Sequence, residues 1–470
     1  MPSYYRYTLF AITIIVLLFC ACTIQEGHNW GDDFALYISQ SIAIIDGNLF
    51  DLYAQNKFLE DHSTMNMGPY LYPNGFPLLI VPIIKCFSLN YVLLKWYCTV
   101  YFLLSLPLCW LLFSNKFQLK YLALFLVLFI GLNPHYFSFA DNVLSDFPSL
   151  FFTYIALLYI PKTKNFWGHI LLGFLLFTNY FIREINITLL PSLLAYQTFL
   201  FVKEKKIPII NFIPYFVFTL LLIFSEIILP YGSKNHIGIF FNINVETILH
   251  NVLHYIKIFT FYPTGFYIAS MPFHYLAVII IALSPPFLFF IIGVCNCFKD
   301  TLHLLTYFVF SMVILILWPF DQGYRFVFAL VPIYMFYVLK GLEYLFLRNA
   351  LQKKLLSFLS IYVLYLFIFD FIYLYENSSV QTNKVITVTT SELFGYIKKS
   401  IPRDAIIAFD RPRILRLMTG STTLYASPQK ILQTPATHLI VNRTTPFELS
   451  SLELSEQFSN KDFIVYKINK

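Results

Sequence analysis

The chain has 470 residues, of which 58% are hydrophobic, 20% aromatic and only 12% charged. Soluble domains carry about 25% charged residues, so this composition excludes an ordinary soluble protein and indicates that most of the chain lies in lipid. The net charge of +7 does not indicate a nucleic-acid partner, because the Lys and Arg residues cluster in short segments between apolar runs, as they do in membrane proteins.

The first apolar segment, residues 8–22, follows a lone Arg6 and resembles a signal peptide. No small-residue cleavage site follows it, so we interpret it as a retained transmembrane helix. A spanning helix needs about 20 mostly apolar residues. Segments predicted to span are roughly 7–24, 91–114, 119–138, 142–160, 166–182, 185–202, 207–230, 273–297, 301–319, 324–346 and 354–375, eleven in all. Residues 73–88 are apolar but short and carry three prolines, which favours a non-spanning segment at the interface.

The distribution of positive charge predicts the orientation of these spans. With the N-terminus inside, twelve Lys and Arg residues fall in short inner segments, whereas seven fall in the much longer outer segments before the C-terminal region. Positive charge is retained inside, so large outer loops are predicted at about 25–90 and 231–272. The C-terminal region is predicted to lie outside as well.

The composition changes at about residue 377, where short hydrophobic runs alternate with polar residues. This pattern predicts helices at 391–400 and 412–418, and strands at 405–409, near 437–441 and near 463–468. The predicted fold is therefore an all-α polytopic membrane domain of about 11 transmembrane helices, residues 1–376, followed by a small extracytoplasmic α/β domain, residues 377–470.

The first outer loop carries the most informative pattern. Gly31-Asp32-Asp33 precedes an amphipathic helix that we expect to lie on the membrane. Its predicted apolar face contains Phe34, Tyr37, Ile38, Ser41 and Ile45. The carboxylates of Asp32 and Asp33 can cap this helix, because acidic side chains favour its N-terminus. Two adjacent carboxylates at the water–lipid boundary can equally take a proton from an acceptor hydroxyl or hold a divalent metal, and the sequence leaves these alternatives open.

Four more charged residues lie near predicted helix ends on the same outer face. Asp146 falls about one turn inside the fourth predicted span, where an ionisable group is expensive and function is the default hypothesis. We interpret Asp141 mainly as a cap of that helix. Arg183 and Glu184 lie between the fifth and sixth predicted spans, where they either neutralise each other or let Arg183 meet an anion.

Tyr324 and Arg325 open the tenth predicted span on the outer side. Snorkelling to the interface would suit a lysine equally well, whereas a guanidinium binds phosphate in a bidentate way. The sequence contains no Gly-rich phosphate loop, no HExxH motif and no Rossmann-like region for a nucleotide sugar. A sugar donor for this chain is therefore expected to be bound to the membrane.

Together these segments resemble the C-type glycosyltransferase superfamily, and within it the group of RgtA/B/C/D-like enzymes, protein O-mannosyltransferases and lipid A aminoarabinose transferases. The resemblance covers most of the chain and depends on the order of its motifs. These are Gly31-Asp32-Asp33 with Tyr37 and Gly47, Tyr72-Pro73 with Phe76-Pro77-Leu78-Leu79, Ser145-Asp146-Phe147-Pro148, Arg183-Glu184, and Tyr324-Arg325 with Pro332.

The resemblance implies an inverting hexosyl- or pentosyltransferase of the bacterial inner membrane with its active site on the periplasmic face. The implied donor is a polyprenyl-phosphate sugar, and the acceptor is a glycan, lipid or protein. Asp32 or Asp33 would be the catalytic base. The spacing to Tyr37 favours Asp33 and the spacing to Gly47 favours Asp32. The residues expected to bind substrate are Asp141, Asp146, Arg183, Glu184, Tyr324 and Arg325.

The sequence departs from the family pattern in two places and leaves three alternatives open, one of which is a glycan polymerase or ligase of another fold. The family pair is Asp-Glu, whereas this chain has Asp-Asp, and the Glu-Lys-Pro-Pro segment of aminoarabinose transferases is absent, which argues against that specificity. A transporter or flippase for a lipid-linked glycan would usually place charges near the bilayer midplane. A non-catalytic subunit of an envelope-glycan complex would not need the Asp pair. A divalent metal is the one cofactor that this chemistry allows, and the sequence identifies no set of metal ligands.

Overall fold

A computed structural model describes residues 3–205, 208–230, 244–261, 276–319, 323–346, 349–378, 385–443 and 453–469. This part of the chain is a bundle of helices with a small sheet formed by C-terminal residues. Long apolar runs become helices because a chain in lipid must satisfy its backbone hydrogen bonds internally.

The helices follow in chain order, with short 3-10 turns between some of them. They are α1 (Ser3–Thr23), α2 (Asp32–Asp46), α3 (Leu49–His62), α4 (Gly75–Phe87), α5 (Tyr91–Phe113), α6 (Tyr121–Gly131), α7 (Pro134–Phe137), α8 (Asp146–Tyr159), α9 (Phe166–Ile182), α10 (Leu189–Glu204), α11 (Ile213–Ile228), α12 (Val245–Phe261), α13 (Leu276–Ile316), α14 (Val331–Phe346), α15 (Asn349–Ser378), α16 (Val388–Ser400) and α17 (Pro412–Thr419).

The described helices show that the chain is an integral, multi-pass membrane protein. Five of them are long and apolar enough to cross a membrane, and six if the bent pair Tyr121–Gly131 and Pro134–Asp141 is one span. The predicted count of eleven stays a prediction, because helices such as α8 and α9, which lie in predicted spans, have only 14 and 17 residues. Two predicted spans, 273–297 and 301–319, fall on the two sides of a kink in α13 at Thr301, whose backbone is not helical.

Two predicted loop regions contain helices of their own. The segment 73–88, predicted not to span, contains the 13-residue helix α4 with Pro82 inside it. The second predicted outer loop contains α12, while its residues 231–243 and 262–272 lie outside the described residues. The first predicted outer loop contains α2 and α3.

Helix α2 forms where the amphipathic pattern predicts it, but protein rather than lipid covers its apolar face. Phe34, Tyr37 and Ile38 are buried, and α2 packs between α4 and α17. The expectation that this apolar face rests on lipid is therefore wrong. Gly47 ends the helix with φ +71, a left-handed conformation that glycine adopts without steric cost.

The C-terminal residues form a five-stranded sheet in the order β2-β1-β3-β5-β4. Its strands are β1 (Ile406–Ala408), β2 (Thr422–Leu424), β3 (His438–Asn442), β4 (Leu454–Ser459) and β5 (Phe463–Ile468). β1 pairs in parallel with β2 and β3, whereas β5 pairs antiparallel with β3 and β4. The sequence prediction missed β2, which has only three residues, and β4, whose sequence is largely polar.

A shared hydrophobic core joins this sheet to the first loop region. Phe34 of α2, Tyr91 of α5, Phe394 of α16, Ile414 of α17 and Phe463 of β5 belong to one buried cluster. Helices α2–α4, α17 and the sheet therefore occupy one end of the bundle, which we call the loop face.

Candidate functional site

The adjacent carboxylates of Asp32 and Asp33 lie in the first turn of α2, on the loop face. The residue before the helix is Gly31, and no side chain caps the helix. Both carboxylates still lie where the helix dipole favours negative charge. Their side chains make different contacts.

Asp33 is held by two strong donors. Its Oδ1 accepts a hydrogen bond of 2.6 Å from the Tyr72 hydroxyl, and its Oδ2 accepts one of 2.5 Å from Nη2 of Arg325. Burial tends to raise the pKa of Asp33, but the charge of Arg325 and the Tyr72 hydrogen bond outweigh it, so the pKa lies below its usual value. Asp33 is therefore an ionised carboxylate with both oxygens engaged.

Arg325 shares an aromatic neighbour with a second arginine. It lies in the 3-10 turn Tyr324–Val327, with its guanidinium carbon 5.1 Å from the ring centroid of Phe326. The guanidinium carbon of Arg183 lies 4.3 Å from the same ring. Arg183 follows the last residue of α9 and pairs with Asp146, the first residue of α8. Two ion pairs thus meet at one phenyl ring, and we call Asp33, Arg325, Asp146, Arg183 and Phe326 the guanidinium cluster.

Aromatic and polar side chains from α2 and from the segment just before α4 support this cluster. The ring of Tyr37 stacks on that of Tyr72 with centroids 4.6 Å apart, and its hydroxyl lies 3.0 Å from Oγ of Ser145. Gln40 fixes the backbone of Tyr72 by hydrogen bonds of 2.9 Å to both its N–H and its C=O. In the sequence, Tyr72-Pro73 stood out only as one motif of the family resemblance, and the bond from Tyr72 to Asp33 was not predicted.

Asp32 makes contacts on another side of α2, towards α17. Its Oδ2 lies 3.9 Å from Nε of Arg413, and among the described residues neither of its buried carboxylate oxygens has a hydrogen-bond partner. Burial raises the pKa of Asp32 above its usual value, and Asp33 adds to this effect, whereas Arg413 and Arg411 oppose it. The two neighbouring carboxylates therefore differ in both bonding and basicity.

Asp141 belongs to a separate ion pair. Its Oδ1 accepts a hydrogen bond of 2.6 Å from Nζ of Lys95 and one of 2.7 Å from the Gln25 amide. The interpretation of Asp141 as the cap of the following helix is wrong, because α8 begins at Asp146 after Ser145. Lys95 is fully buried on α5, and sequence reasoning gave it no role. In the sequence, the one indication for Lys95 is that a lysine lies near the end of an apolar helix.

The remaining two predicted site residues lie beside the cluster. Glu184 opens the 3-10 turn Glu184–Thr188 and is half-buried. The ring of Tyr324 packs 4.6 Å from that of His135 and 5.5 Å from that of Phe139. Within the described ranges, no three His, Cys, Asp or Glu side chains come together as a metal site requires.

Comparison with known proteins identifies the fold. No protein-family model and no curated protein matches the sequence. Among solved structures, ArnT from Cupriavidus metallidurans bound to undecaprenyl phosphate is similar over 99% of this chain and 98% of its own, with 9% identity and a TM-score of 0.55. The Archaeoglobus fulgidus oligosaccharyltransferase tethered with an acceptor peptide is similar over 94% and 69%, with 12% identity and a TM-score of 0.59. The chain therefore has the fold of C-type glycosyltransferases.

Proposed function

We propose that this protein is an integral membrane glycosyltransferase. It would move a hexose or pentose from a polyprenyl-phosphate donor to a glycan, lipid or protein acceptor, with inversion, at the periplasmic face of a bacterial inner membrane. The observation that carries this proposal is the guanidinium cluster, two arginines and two carboxylates around Phe326 at the loop face. One protein of the same fold holds undecaprenyl phosphate.

The arginines of the cluster suit the phosphate of the donor. A guanidinium carries five N–H donors in a planar fork, so Arg325 keeps donors beyond the one given to Asp33. Its side chain is 26% exposed, which leaves it accessible from the loop face. Arg183 lies against the same ring. As the glycosidic bond breaks, negative charge develops on the phosphate oxygens, and nearby fixed cations stabilise that charge.

Of the two adjacent carboxylates, Asp32 suits the base and Asp33 suits a positioning role. A general base works best with a pKa near the operating pH and with a free lone pair. Burial raises the pKa of Asp32, and its oxygens are unbonded among the described residues. Asp33 is the weaker base, because Arg325 lowers its pKa and both of its oxygens accept hydrogen bonds. Asp33 instead holds Arg325 in place.

The proposed step is a single displacement. The oxygen of the acceptor hydroxyl forms a bond to the anomeric carbon, while the bond from that carbon to the phosphate oxygen breaks. The hydroxyl proton passes to Asp32, and polyprenyl phosphate leaves with the electron pair of the broken bond. No oxidant, reductant or nucleotide is required.

Transfer from defined donors tests the proposal. The purified protein in nanodiscs would be given a panel of radiolabelled undecaprenyl-phosphate hexoses and pentoses with a membrane extract as the source of acceptor. We expect label to leave one donor and to appear on an extractable acceptor, and an Asp32→Asn, Asp33→Asn double variant to leave that donor intact. Every donor remaining intact with the wild-type protein, together with unchanged envelope glycans in a deletion strain, would refute the proposed function.

A further inference from the structure

Both carboxylate oxygens of Asp32 can accept hydrogen bonds, and the described residues donate none to them. The side chain of Asp32 is only 15% exposed, and both carboxylate oxygens are shielded from solvent without a hydrogen-bond partner among the described residues. A carboxylate buried in this way is unfavourable unless something bonds to it. The backbone of Ile414 approaches it and lowers its pKa slightly, but does not reach hydrogen-bond geometry.

Arg413 of α17 has a hydrogen-bond donor, Nε, that reaches no acceptor among the described residues. Its side chain is 3% exposed, and its Nη2 donates a hydrogen bond of 2.7 Å to the carbonyl oxygen of Pro69. Its Nε lies 3.9 Å from Oδ2 of Asp32 and has no hydrogen-bond partner in the part of the chain that is described. That distance exceeds the range of a hydrogen bond. An acceptor on Asp32 and a donor on Arg413 therefore lie close together, and neither bonds to the other.

A hydroxyl group can satisfy both atoms, because its O–H donates one hydrogen bond and its oxygen accepts others. We propose that Asp32 and Arg413 form the subsite for the acceptor hydroxyl, which donates to Asp32 and accepts from Nε of Arg413. This inference depends on the proposed function, and it adds that the C-terminal part of the chain supplies a substrate-binding residue. Both oxygens are shielded in this structure, so the proposal requires the acceptor hydroxyl to enter between α2 and α17.

The docking of α17 fixes the position of Arg413. Nη2 of the neighbouring Arg416 donates a hydrogen bond of 2.5 Å to Oδ1 of Asn56, a residue of α3 that is 1% exposed. Ile414 and Leu415 are fully buried in the core that α17 shares with α2. These contacts hold the guanidinium of Arg413 beside the first turn of α2, and the charge of Arg416 also interacts with that of Asp32.

The charges around Asp32 give the subsite a measurable signature. Asp33 on its own helix raises the pKa of Asp32, whereas Arg413 on α17 and Arg411, the residue just before α17, lower it. A base must be deprotonated, so transfer is lost as pH falls through its pKa. Removing Arg413 raises that pKa and moves the acidic limb of the pH–rate profile to higher pH. Opposite charges at such distances shift pKa values by about 1 unit or more.

The test compares Arg413→Gln and Arg413→Lys with two control variants in the purified transferase. For Arg413→Gln we expect the KM for the acceptor to rise about tenfold or more, donor affinity to be unchanged, and the acidic limb to move up by about 1 pH unit. Arg413→Lys keeps the charge and should keep the limb near its wild-type position. Asn56→Ala weakens the same interface without changing charge, and Arg403→Gln removes an exposed charge from the same region; neither should move the limb.

The outcomes separate the subsite from the proposed function. A wild-type protein that transfers no sugar refutes the function and the subsite together. If the wild-type protein is active but Arg413→Gln has the wild-type pH–rate profile and an unchanged KM for the acceptor, only the subsite is refuted. The same holds if Asn56→Ala reproduces both effects of Arg413→Gln, because docking alone would then explain them.

Discussion

Arg325 is the residue whose chemistry distinguishes an enzyme from a scaffold. It donates to Asp33 and lies beside Phe326, and a phosphate could use the remaining donors of its planar fork. Lysine at this position would keep the charge and the reach to the interface but lose the fork. We therefore expect Arg325→Lys to insert and fold normally yet lose more than about tenfold in transfer, a loss in the range for a charge-assisted hydrogen bond. Arg325→Ala should lose more and weaken donor binding.

The control for this prediction is Arg6→Lys, which makes the same exchange on an exposed residue of α1. Transfer rates and binding of undecaprenyl phosphate by the purified variants in nanodiscs provide the measurement. Arg325→Lys turning over at the wild-type rate would remove Arg325 from the site and leave it a snorkelling residue.

The contrasting contacts of Asp32 and Asp33 predict different kinetic defects. Asp32→Asn removes the proposed base, so kcat should fall by about 10²–10⁴-fold with donor affinity retained. Asp33→Asn loses the negative charge that positions Arg325, so donor affinity should weaken as well. Steady-state kinetics and donor titration of each variant separate the two roles. Near-normal turnover by both single variants and the double variant would mean that the carboxylates only stabilise the start of α2.

At the scale of elements, the close approach of α4 to α9 positions the guanidinium cluster. A Cβ atom on Gly75 would overlap the carbonyl group of Phe181 and would lie 2.7 Å from the amide nitrogen of Ile182. The backbone that is approached leads directly into Arg183, and Tyr72 lies just before α4. Only glycine permits this contact, so the first turn of α4 and the end of α9 fix the partners of the two ion pairs relative to each other.

We expect Gly75→Ala to push α4 away from α9. Overpacking of this kind typically costs about 1–3 kcal/mol, so the melting temperature in detergent should fall and donor affinity should weaken. The control is Gly395→Ala, since a Cβ atom at Gly395 in α16 meets nothing within 4 Å and alanine favours a helix over glycine. Equal melting temperatures and donor affinities for Gly75→Ala and wild type would show that α4 can shift without affecting the cluster.

Helices and motifs could be predicted from the sequence where neighbouring residues determine them. The period of apolar residues marks α2, and Gly47 marks its end, because both depend on neighbouring residues. The pairing of Asp33 with Arg325 could be expected only from their shared outer location, and their contact requires the fold. The bonds from Lys95 to Asp141 and from Arg413 to Pro69 join distant segments, and no spacing in the sequence indicates them. The burial of α2 by α17 could not be predicted either, because the apolar face of a helix does not specify whether lipid or protein will cover it.

At the scale of the whole molecule, the loop face gathers α2–α4, the C-terminal sheet and both ion pairs at one end of the bundle. A different set of charges stabilises another group of helix ends, where Lys340 pairs with Glu343 at 2.6 Å and Glu343 accepts from the Leu119 amide at 2.7 Å. The loop charges in the sequence predict that this second group lies on the cytoplasmic side. The loop face would then be periplasmic, where the proposed donor and acceptor meet.

Labelling of intact cells tests this orientation. In a cysteine-free background, we expect a cysteine at the exposed Asp404 of the loop face to react with a membrane-impermeant maleimide. A cysteine at the exposed Lys164, between α8 and α9, should react only after permeabilisation. Each position serves as the control for the other, because both are exposed and polar. The reverse pattern would place the guanidinium cluster in the cytoplasm, where a periplasmic acceptor could not reach Asp32, and the proposed orientation and reaction site would both have to be abandoned.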